Sequence, residues 1–489
     1  MPEAPRYAAV DLGATSGRVV VGRLEGGRLE LDEARRFPNR PVRLPDGLHW
    51  DLPQLFAEAL RGLRAAGRVD GVGVDTWGVD YGLLDARGRL LGLPYHYRDD
   101  RTAPMIERAF GRVAQAELYA TTGIPTMPIN TIFQLLADEG SPALAAADRI
   151  ALVPDLLAYW LSGELANEYT NASTTGLLDA QRGEWAHELI ARLGLPDRLF
   201  SSLVAPGTPL GPLLAHHQLG TPTVYAVASH DTASAFAAAP LQDEHSVVLS
   251  SGTWSLLGIE LADPMLTDAA REANLTNERG VDGTTRLLKN VMGMWLLEEC
   301  RRAWADAGDD VAYESLIELA AGPVGDVPMF DPDDGSFLAP GDMPARIASA
   351  CERSGQAPPR DIGAVVQAIL VSLACKYRWV LERLEAVTGR ELRRIHVIGG
   401  GARNEPLCRL TAELTGREVL AGPVEATALG NLLVQARGAG ELESLADLRA
   451  VAAASASPTV HEPSGDPAAA DATYRRFIDL TGLGAPTTA

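Results

Sequence analysis

Apolar and polar positions change period several times along the chain, and each change predicts an element. The first apolar run, "YAAVDL", stops at a tight "GATSG" turn and is followed by "RVVVGRLEGGRLELDEARRF". Three consecutive valines, a Gly-Gly turn and an apolar/polar alternation predict two further strands, so the chain opens as strand, turn, strand, turn, strand. From about Leu52 to Ala66 apolar residues recur at helical spacing, with Asp51 as N-cap. "DGVGVDTWGVDYGLLD" reads as a buried strand, a Gly-containing bend and a second strand. "TVYAVASHDTASAFAAA" reads as a buried strand running through Ser229 into an Ala-rich helix from about Thr232.

The opening pattern then recurs. "SVVLSSGTWSLLGIEL" is again a strand, a Gly-containing hydroxyl-rich turn and a strand, which predicts two related halves. The boundary is expected at residues 240/241, giving domains 1–240 and 241–489. In the second half "AVVQAILVSLACKYRWVLERLEAVTG" predicts a long helix ending at Gly389, and "RIHVIGGGARNEPLCRLTAELTG" a strand, a triple glycine and a helix. "SASPTVHEPSGDP", within 455–467, reads as a connector before a short last helix, and "GAPTTA" as a frayed tail.

Composition narrows the partners. A chain of 489 residues with 46% hydrophobic and 22% charged residues is expected to be globular and to form more than one domain. The net charge of -21 disfavours nucleic acid and anionic membrane. An anionic ligand would need shielding by metal, backbone N–H groups or a few arginines. "MPEAPRYAAV" lacks the pattern of a secretory signal, and no uninterrupted apolar run reaches membrane-spanning length, "ALVPDLLAYWL" being broken by Pro154 and Asp155. The four cysteines have no ligand-like spacing and are read as reduced thiols, so a cytoplasmic location is expected. Oligomeric state stays open, with a monomer the simpler reading.

The lysine count decides more. Lys289 and Lys376 are the only two, and neither follows a glycine, so a Walker A loop and the protein-kinase V-A-I-K strand are both excluded. A Rossmann loop is excluded too, because its glycines must open a helix and here a strand follows.

Each candidate has a plain structural alternative beside its functional one. Asp11 is either a turn-friendly residue or a holder of hydrated Mg²⁺, with Ala14, Thr15, Ser16, Gly17 and Arg18 facing phosphate. The "SGT" turn at Ser251–Thr253 is a hairpin turn or a second phosphate contact. The glycines 399–401 make a tight connection or allow close backbone approach to a flat ligand. Asp231 is an N-cap, worth about 1 kcal/mol, or a general base for a substrate hydroxyl. His230 is structural or a donor to a sugar oxygen. Trp77 and Tyr81, near Asp75 and Asp80, flank a sugar or pack the core. "YRDDR", Arg98–Arg101, reads as a solvated turn.

Taken together, "VDLGATSGR", "DTWGVDY", "YRDDRT", "NEYTNASTT", "VASHDTASA", "LSSGTWSLLG", "LKNVMGMWLL", "VIGGGARN" and "AGPVEATALGN" resemble, in order, segments of the FGGY carbohydrate kinases. These belong to the actin/hexokinase/heat-shock-70 ATPase superfamily. The resemblance runs from about Tyr7 to the last helix and is closer still to the members that phosphorylate L-rhamnulose. It implies an α/β fold of two ribonuclease-H-like domains, with mixed sheets flanked by helices and the active site in the cleft between them. It implies MgATP as co-substrate and transfer of a phosphoryl group to the C1 hydroxyl of L-rhamnulose. Another ketose or polyol (L-fuculose, xylulose, glycerol) and a non-catalytic sugar sensor are the alternatives. Carried over by position, the resemblance implies ATP contacts from Ala14 through Arg18, Thr253 and Gly401. It puts Gly78, His230, Asp231, Thr232 and Asn290 on the sugar, with Asp231 as base and magnesium near Asp11. Glu298 departs from the pattern: a relative has a nucleotide-contacting Gln there, and a carboxylate is awkward beside phosphates.

Overall fold

The computed structural model describes residues 4–241, 243–309, 311–319 and 326–484. The chain divides into two compact units, neither continuous in sequence. The first comprises Met1–Pro240, Glu260–Leu287 and Ala426–Ala456; the second comprises Leu241–Ile259, Leu288–Glu425 and Ser457–Ala489.

In the first unit, six strands form one mixed sheet: β1 (Arg6–Leu12), β2 (Ser16–Glu25), β3 (Arg28–Pro38), β4 (Gly71–Thr76), β5 (Thr208–Pro212) and β6 (Thr223–Ala226), in the order β5-β6-β4-β1-β2-β3. The opening pattern folds as its periodicity predicts. β1, β2 and β3 are antiparallel neighbours, and Gly26 and Gly27, at φ 59° and 74°, make the turn that the twist of such a hairpin favours. β4 lies parallel to β1, and β6 parallel to β4. The helix Leu52–Ala66 has its predicted bounds and cap, Asp51 Oδ1 accepting from Gln54 N at 3.2 Å.

The helix Ala426–Gly438 packs on this sheet through polar side chains as well as apolar ones. A Cβ at Gly73 would lie 2.6 Å from Asn431 Oδ1 and one at Gly71 2.9 Å from Gln435 Oε1, so β4 carries glycine where that helix comes down. At Gly430 the helix meets a second helix, Asp231–Ala237, closely enough that a Cβ would stand 1.8 Å from the Ser234 carbonyl oxygen. Leu429, Leu432, Leu433, Ala233 and Ala237 are buried together in the core so formed.

The second unit repeats the plan. β7 (Ser246–Ser251), β8 (Trp254–Leu261), β9 (Thr285–Met292), β10 (Arg394–Ile398), β11 (Glu418–Ala421) and β12 (Thr459–His461) follow the order β9-β8-β7-β10-β11-β12, with a short seventh strand, Thr276–Arg279, beyond β9; this strand and β9 as far as Leu287 count with the first unit. β7 is antiparallel to β8 and parallel to β10, β10 is parallel to β11, and β11 is antiparallel to β12. β2, β1, β4, β6 and β5 have the same sequence of directions, so the weak repeat in the sequence is a repeat of topology. The long helix is Ile362–Thr388, closed by Gly389 at φ 68°. By length and composition it is apolar enough to cross a membrane, but 83% of its most apolar window is buried inside the protein, as in a core helix.

Three local expectations are corrected. His230, not Asp231, is the N-cap of its helix, and Asp231 is the first helical residue. The connector at 455–467 supplies β12, because its Thr459–His461 stretch alternates and pairs with β11. "YRDDR" is largely buried: Asp99 Oδ2 accepts from Leu48 N at 2.8 Å, and Arg101 bonds Asp138 at 2.6 Å while lying 3.8 Å from the Tyr95 ring centroid. Of the predicted tail, all but Gly484 lies outside the described residues.

Candidate active site

The carboxyl ends of the parallel strands in the first unit bring three aspartates together, at the position where open α/β sheets bind ligands. Asp11 and Asp75 are register partners on β1 and β4, and the next residue, Thr76, bridges to His230 beside Asp231. Burial, followed by the nearby Asp11, pushes Asp75 well above the ordinary carboxylate range, Asp231 adding to the effect. Asn431 Nδ2 donates to Asp75 Oδ2 at 2.5 Å, and Asp75 Oδ1 is buried without a hydrogen bond.

Asp231 retains access to solvent, its side chain 30% exposed. Thr232 Oγ1 donates to its Oδ1 at 3.0 Å, and His230 Nε2 is 3.4 Å from the same oxygen. Burial is the largest influence on Asp231 and raises its pKa; His230 and Thr232 act against this and Asp11 with it. A carboxylate with a raised pKa, one oxygen anchored and the other available has the properties of a general base.

Arg18 faces Asp11 across the β1–β2 hairpin, with Nε donating to Oδ2 at 2.8 Å and Nη2 2.7 Å from it. The predicted phosphate cation and the predicted magnesium ligand are thus partners of each other. Asn39, which sequence reasoning missed, holds the turn between them: its Nδ2 donates to Gly13 O at 2.8 Å and its N–H to Thr15 O at 3.0 Å. Thr15 is exposed at the tip, with Ala14 and Ser16 partly exposed. Gly17 has a packing role, since a Cβ there would lie 2.4 Å from the Phe37 ring.

The "DTWGVDY" segment resolves toward the core. Asp80 accepts from Trp50 Nε1 at 2.5 Å, Trp77 Nε1 at 3.0 Å, Tyr97 N at 3.2 Å and Gln134 Nε2 at 2.8 Å, yet burial still lifts its pKa to about 7. Trp77 packs on Trp50 with centroids 3.9 Å apart, and Tyr81 donates to Asp138. Gly78 is packed against Thr174, whose side chain a Cβ there would meet at 2.9 Å. The next residue, Val79, has φ 67°, costly for a β-branched side chain. Thr174 Oγ1 accepts from its N–H at 3.0 Å and Thr131 Oγ1 donates to its carbonyl at 2.5 Å, which fixes that conformation. Buried Glu168 accepts from Thr170 N, Ser229 N and Ser229 Oγ, joining "NEYTNASTT" to "SHDTAS".

In the second unit the loop of one predicted nucleotide contact packs on the turn that carries another. A Cβ at Gly401 would lie 2.0 Å from Ser251 Oγ, so the triple-glycine loop rests on the β7–β8 turn that carries Thr253. That turn is tied to the helix Trp295–Ala307, because Met294 N donates to Gly252 O at 3.0 Å and Trp295 N to Thr253 O at 3.1 Å. Glu298, in the first turn of this helix, is paired with Arg301 at 3.0 Å. Its charge is therefore already compensated. Asn290 lies on β9 next to Lys289. Both lysines are buried and converge on one carboxylate: Lys376 Nζ is 2.7 Å from Asp331 Oδ1 and 3.2 Å from Asp333 Oδ2, and Lys289 Nζ is 3.7 Å from Asp333 Oδ2. Met292 N donates to Asp333 Oδ1 at 2.9 Å, fastening β9 to the same cluster.

Comparison with known proteins bears on the family and the fold. The N-terminal domain of the FGGY family of carbohydrate kinases matches residues 6–237, and its C-terminal domain matches residues 247–439. The chain is 42% identical to rhamnulokinase from Bacteroides thetaiotaomicron, across 96% of this chain and 98% of that one. It is 39% identical to rhamnulokinase from Bacillus subtilis, across 91% and 93%. Among solved structures, xylulose kinase from Rhodospirillum rubrum superposes with a TM-score of 0.76 at 20% identity, covering 97% of this chain and 98% of that one. Plasmodium falciparum glycerol kinase with ADP gives 0.78 at 14%, covering 99% of each. With both halves matched by one family and full-length relatives near 40% identity, the chain belongs to the FGGY family of carbohydrate kinases.

Proposed function

We propose that the chain transfers the γ-phosphoryl group of ATP to the C1 hydroxyl of L-rhamnulose, yielding L-rhamnulose 1-phosphate and ADP. The rhamnulokinases with which it shares 39–42% of its residues support L-rhamnulose as the acceptor. The observation that carries the chemistry is Asp231, with Oδ1 held by Thr232 and faced by His230, and with its pKa raised by burial. Asp231 orients the hydroxyl and takes its proton as the bond to phosphorus forms. Phosphoryl transfer passes through a loose transition state, so positioning and charge compensation supply most of the rate. Gly78, His230, Thr232 and Asn290 are assigned to the sugar. The turn from Ala14 to Arg18, with Thr253 and Gly401, is assigned to ATP. Glu298 is assigned there too, its charge offset by Arg301.

The residues present fit a magnesium ion carried mainly by phosphate oxygens and water. Among the described residues no group of three or more His, Cys, Asp or Glu could hold a metal ion by itself, while Asp11, beside the unpartnered Oδ1 of Asp75, offers hard oxygen donors. Asp11 would hold it, and the ion would offset charge on the phosphates. The same reading carries a cytoplasmic location.

A coupled ADP-release assay over a panel of ketoses and polyols tests the proposal. Turnover with L-rhamnulose is expected to exceed that with L-fuculose, xylulose and glycerol by at least about tenfold in kcat/KM, the discrimination one well-placed pocket contact gives. Equal or faster turnover of another acceptor would reassign the substrate. Asp231→Asn is expected to lower kcat by roughly 10²–10⁴, the usual worth of a general base, with little change in thermal stability. A variant of near-normal kcat would reduce Asp231 to a structural residue.

A further inference from the structure

His230 is held from behind by two buried charged residues of the first unit that sequence reasoning did not single out. Arg286 is fully buried and Glu278 nearly so. Nε of the guanidinium donates to Arg279 O at 3.0 Å, Nη1 is ion-paired with Glu278 Oε2 at 3.1 Å without a hydrogen bond, and Nη2 lies 3.2 Å from His230 Nδ1. Glu278 Oε2 lies 3.2 Å from the same Nδ1. One imidazole nitrogen cannot accept from a guanidinium and donate to a carboxylate together, so the surroundings must select. A guanidinium can only donate and has no water to turn to at this depth. Glu278 Oε1 accepts from Thr276 Oγ1 at 3.4 Å, and its Oε2, though it accepts no hydrogen bond, is compensated in charge by Arg286 Nη1 at 3.1 Å. Nδ1 is then the acceptor, and the ring proton sits on Nε2, the nitrogen 3.4 Å from Asp231 Oδ1. The opposite tautomer would turn a lone pair toward that anionic oxygen.

We propose that Arg286 and Glu278 are positioning residues: the guanidinium, neutralised by Glu278, fixes His230 as its Nε2–H tautomer, so the imidazole donates toward Asp231 Oδ1 and leaves Oδ2 to receive the substrate proton. The proton transfer rests on the assignment of Asp231 as base, whereas the tautomer can be read without any substrate.

Two measurements test it on the full chain. A long-range ¹H–¹⁵N spectrum of protein labelled with ¹⁵N-histidine, with the His230 signal identified by its loss in His230→Gln, is expected to show a protonated Nε2 and a bare Nδ1. A protonated Nδ1 in the wild type overturns the proposal, whatever the enzyme turns over and whether or not any variant folds. The double variant Arg286→Met/Glu278→Gln leaves no uncompensated charge in the interior. It is expected to release the tautomer preference and lower kcat about ten- to a hundredfold, the range for partners that orient a functional histidine. KM for ATP should stay within about twofold, and adding His230→Gln should cost no more than His230→Gln alone, as coupled sites require. Multiplicative losses, or an unchanged tautomer and kcat in the double variant, refute the role.

Discussion

Gly430→Ala perturbs the catalytic helix from a helix that contributes no residue assigned to substrate. The added methyl would stand 1.8 Å from the Ser234 carbonyl oxygen and 2.5 Å from its carbon, and that obstacle is backbone, which cannot rotate aside. Restoring an ordinary 3.4 Å contact asks the helices Ala426–Gly438 and Asp231–Ala237 to part by about 1.6 Å. Ser234 N donates to His230 O at 3.1 Å, so the displacement is delivered to the turn that carries His230 and Asp231. Misplacing a reacting group by about 1 Å costs on the order of 10²-fold in rate, and overpacking a core costs about 1–3 kcal/mol. We therefore expect Gly430→Ala to lower kcat by about 10²-fold and to reduce stability by an amount toward the upper end of that range. Steady-state ADP release, corrected for the folded fraction from urea titration, reads both. Gly335→Ala, with nothing within 4 Å of its Cβ, is the control. A Gly430→Ala enzyme with wild-type kcat and urea midpoint would refute the close packing. A lowered midpoint with full kcat per folded molecule would show that the contact stabilises the unit without positioning Asp231.

Three further outcomes follow from buried groups and close contacts. Asp80 has a folded pKa of about 7 against an ordinary 3.8, so its contribution to stability is complete below about pH 4 and is lost as pH rises through 7. Urea midpoints from pH 4 to 8 should fall for the wild type relative to Asp80→Asn, and parallel profiles would refute the shift. Lys376→Met leaves Asp331 and Asp333 short of their nearest cation and should cost about 3–5 kcal/mol in urea denaturation; no loss would mean water already reaches the cluster. Gly401→Ala drives a methyl to within 2.4 Å of Ser251 Cβ and should raise KM for ATP at least about tenfold more than KM for sugar. Equal increases would separate the glycine loop from the nucleotide.

Elements with a strong period or a distinct cap were legible in the sequence. The helices Leu52–Ala66 and Ile362–Thr388, the opening three strands and the repeated hairpin all have local causes. The three aspartates are 64 and 156 residues apart along the chain, and Asp231 could be weighed because it opens a helix. What the sequence hid depends on distant partners. Asp75 is distinctive because Asn431 reaches it from 356 residues away. Glu278 and Arg286 have no distinguishing mark in the sequence, and only the approach of both to His230 Nδ1 singles them out. The default reading of "YRDDR" as solvent-facing failed for the same reason, since Asp138 and Leu48 satisfy its charges from other parts of the chain. Val79 has no local signal, because its backbone is imposed by Thr131 and Thr174.

The buried lysine cluster has a chemical consequence for the rest of the surface. Every other basic side chain except histidine is an arginine, so apart from its amino terminus the folded protein shows the solvent almost no primary amine. Acylating reagents, aldehydes and ubiquitin-conjugating chemistry all need a nucleophilic amine within reach, and here both candidates are buried; Asp333 and Asp331 hold Lys376 as an ammonium ion, whereas burial lowers the pKa of Lys289. Amine labelling of this enzyme becomes a meter of opening: the ε-amino groups of Lys289 and Lys376 react as fast as the second unit unfolds around them.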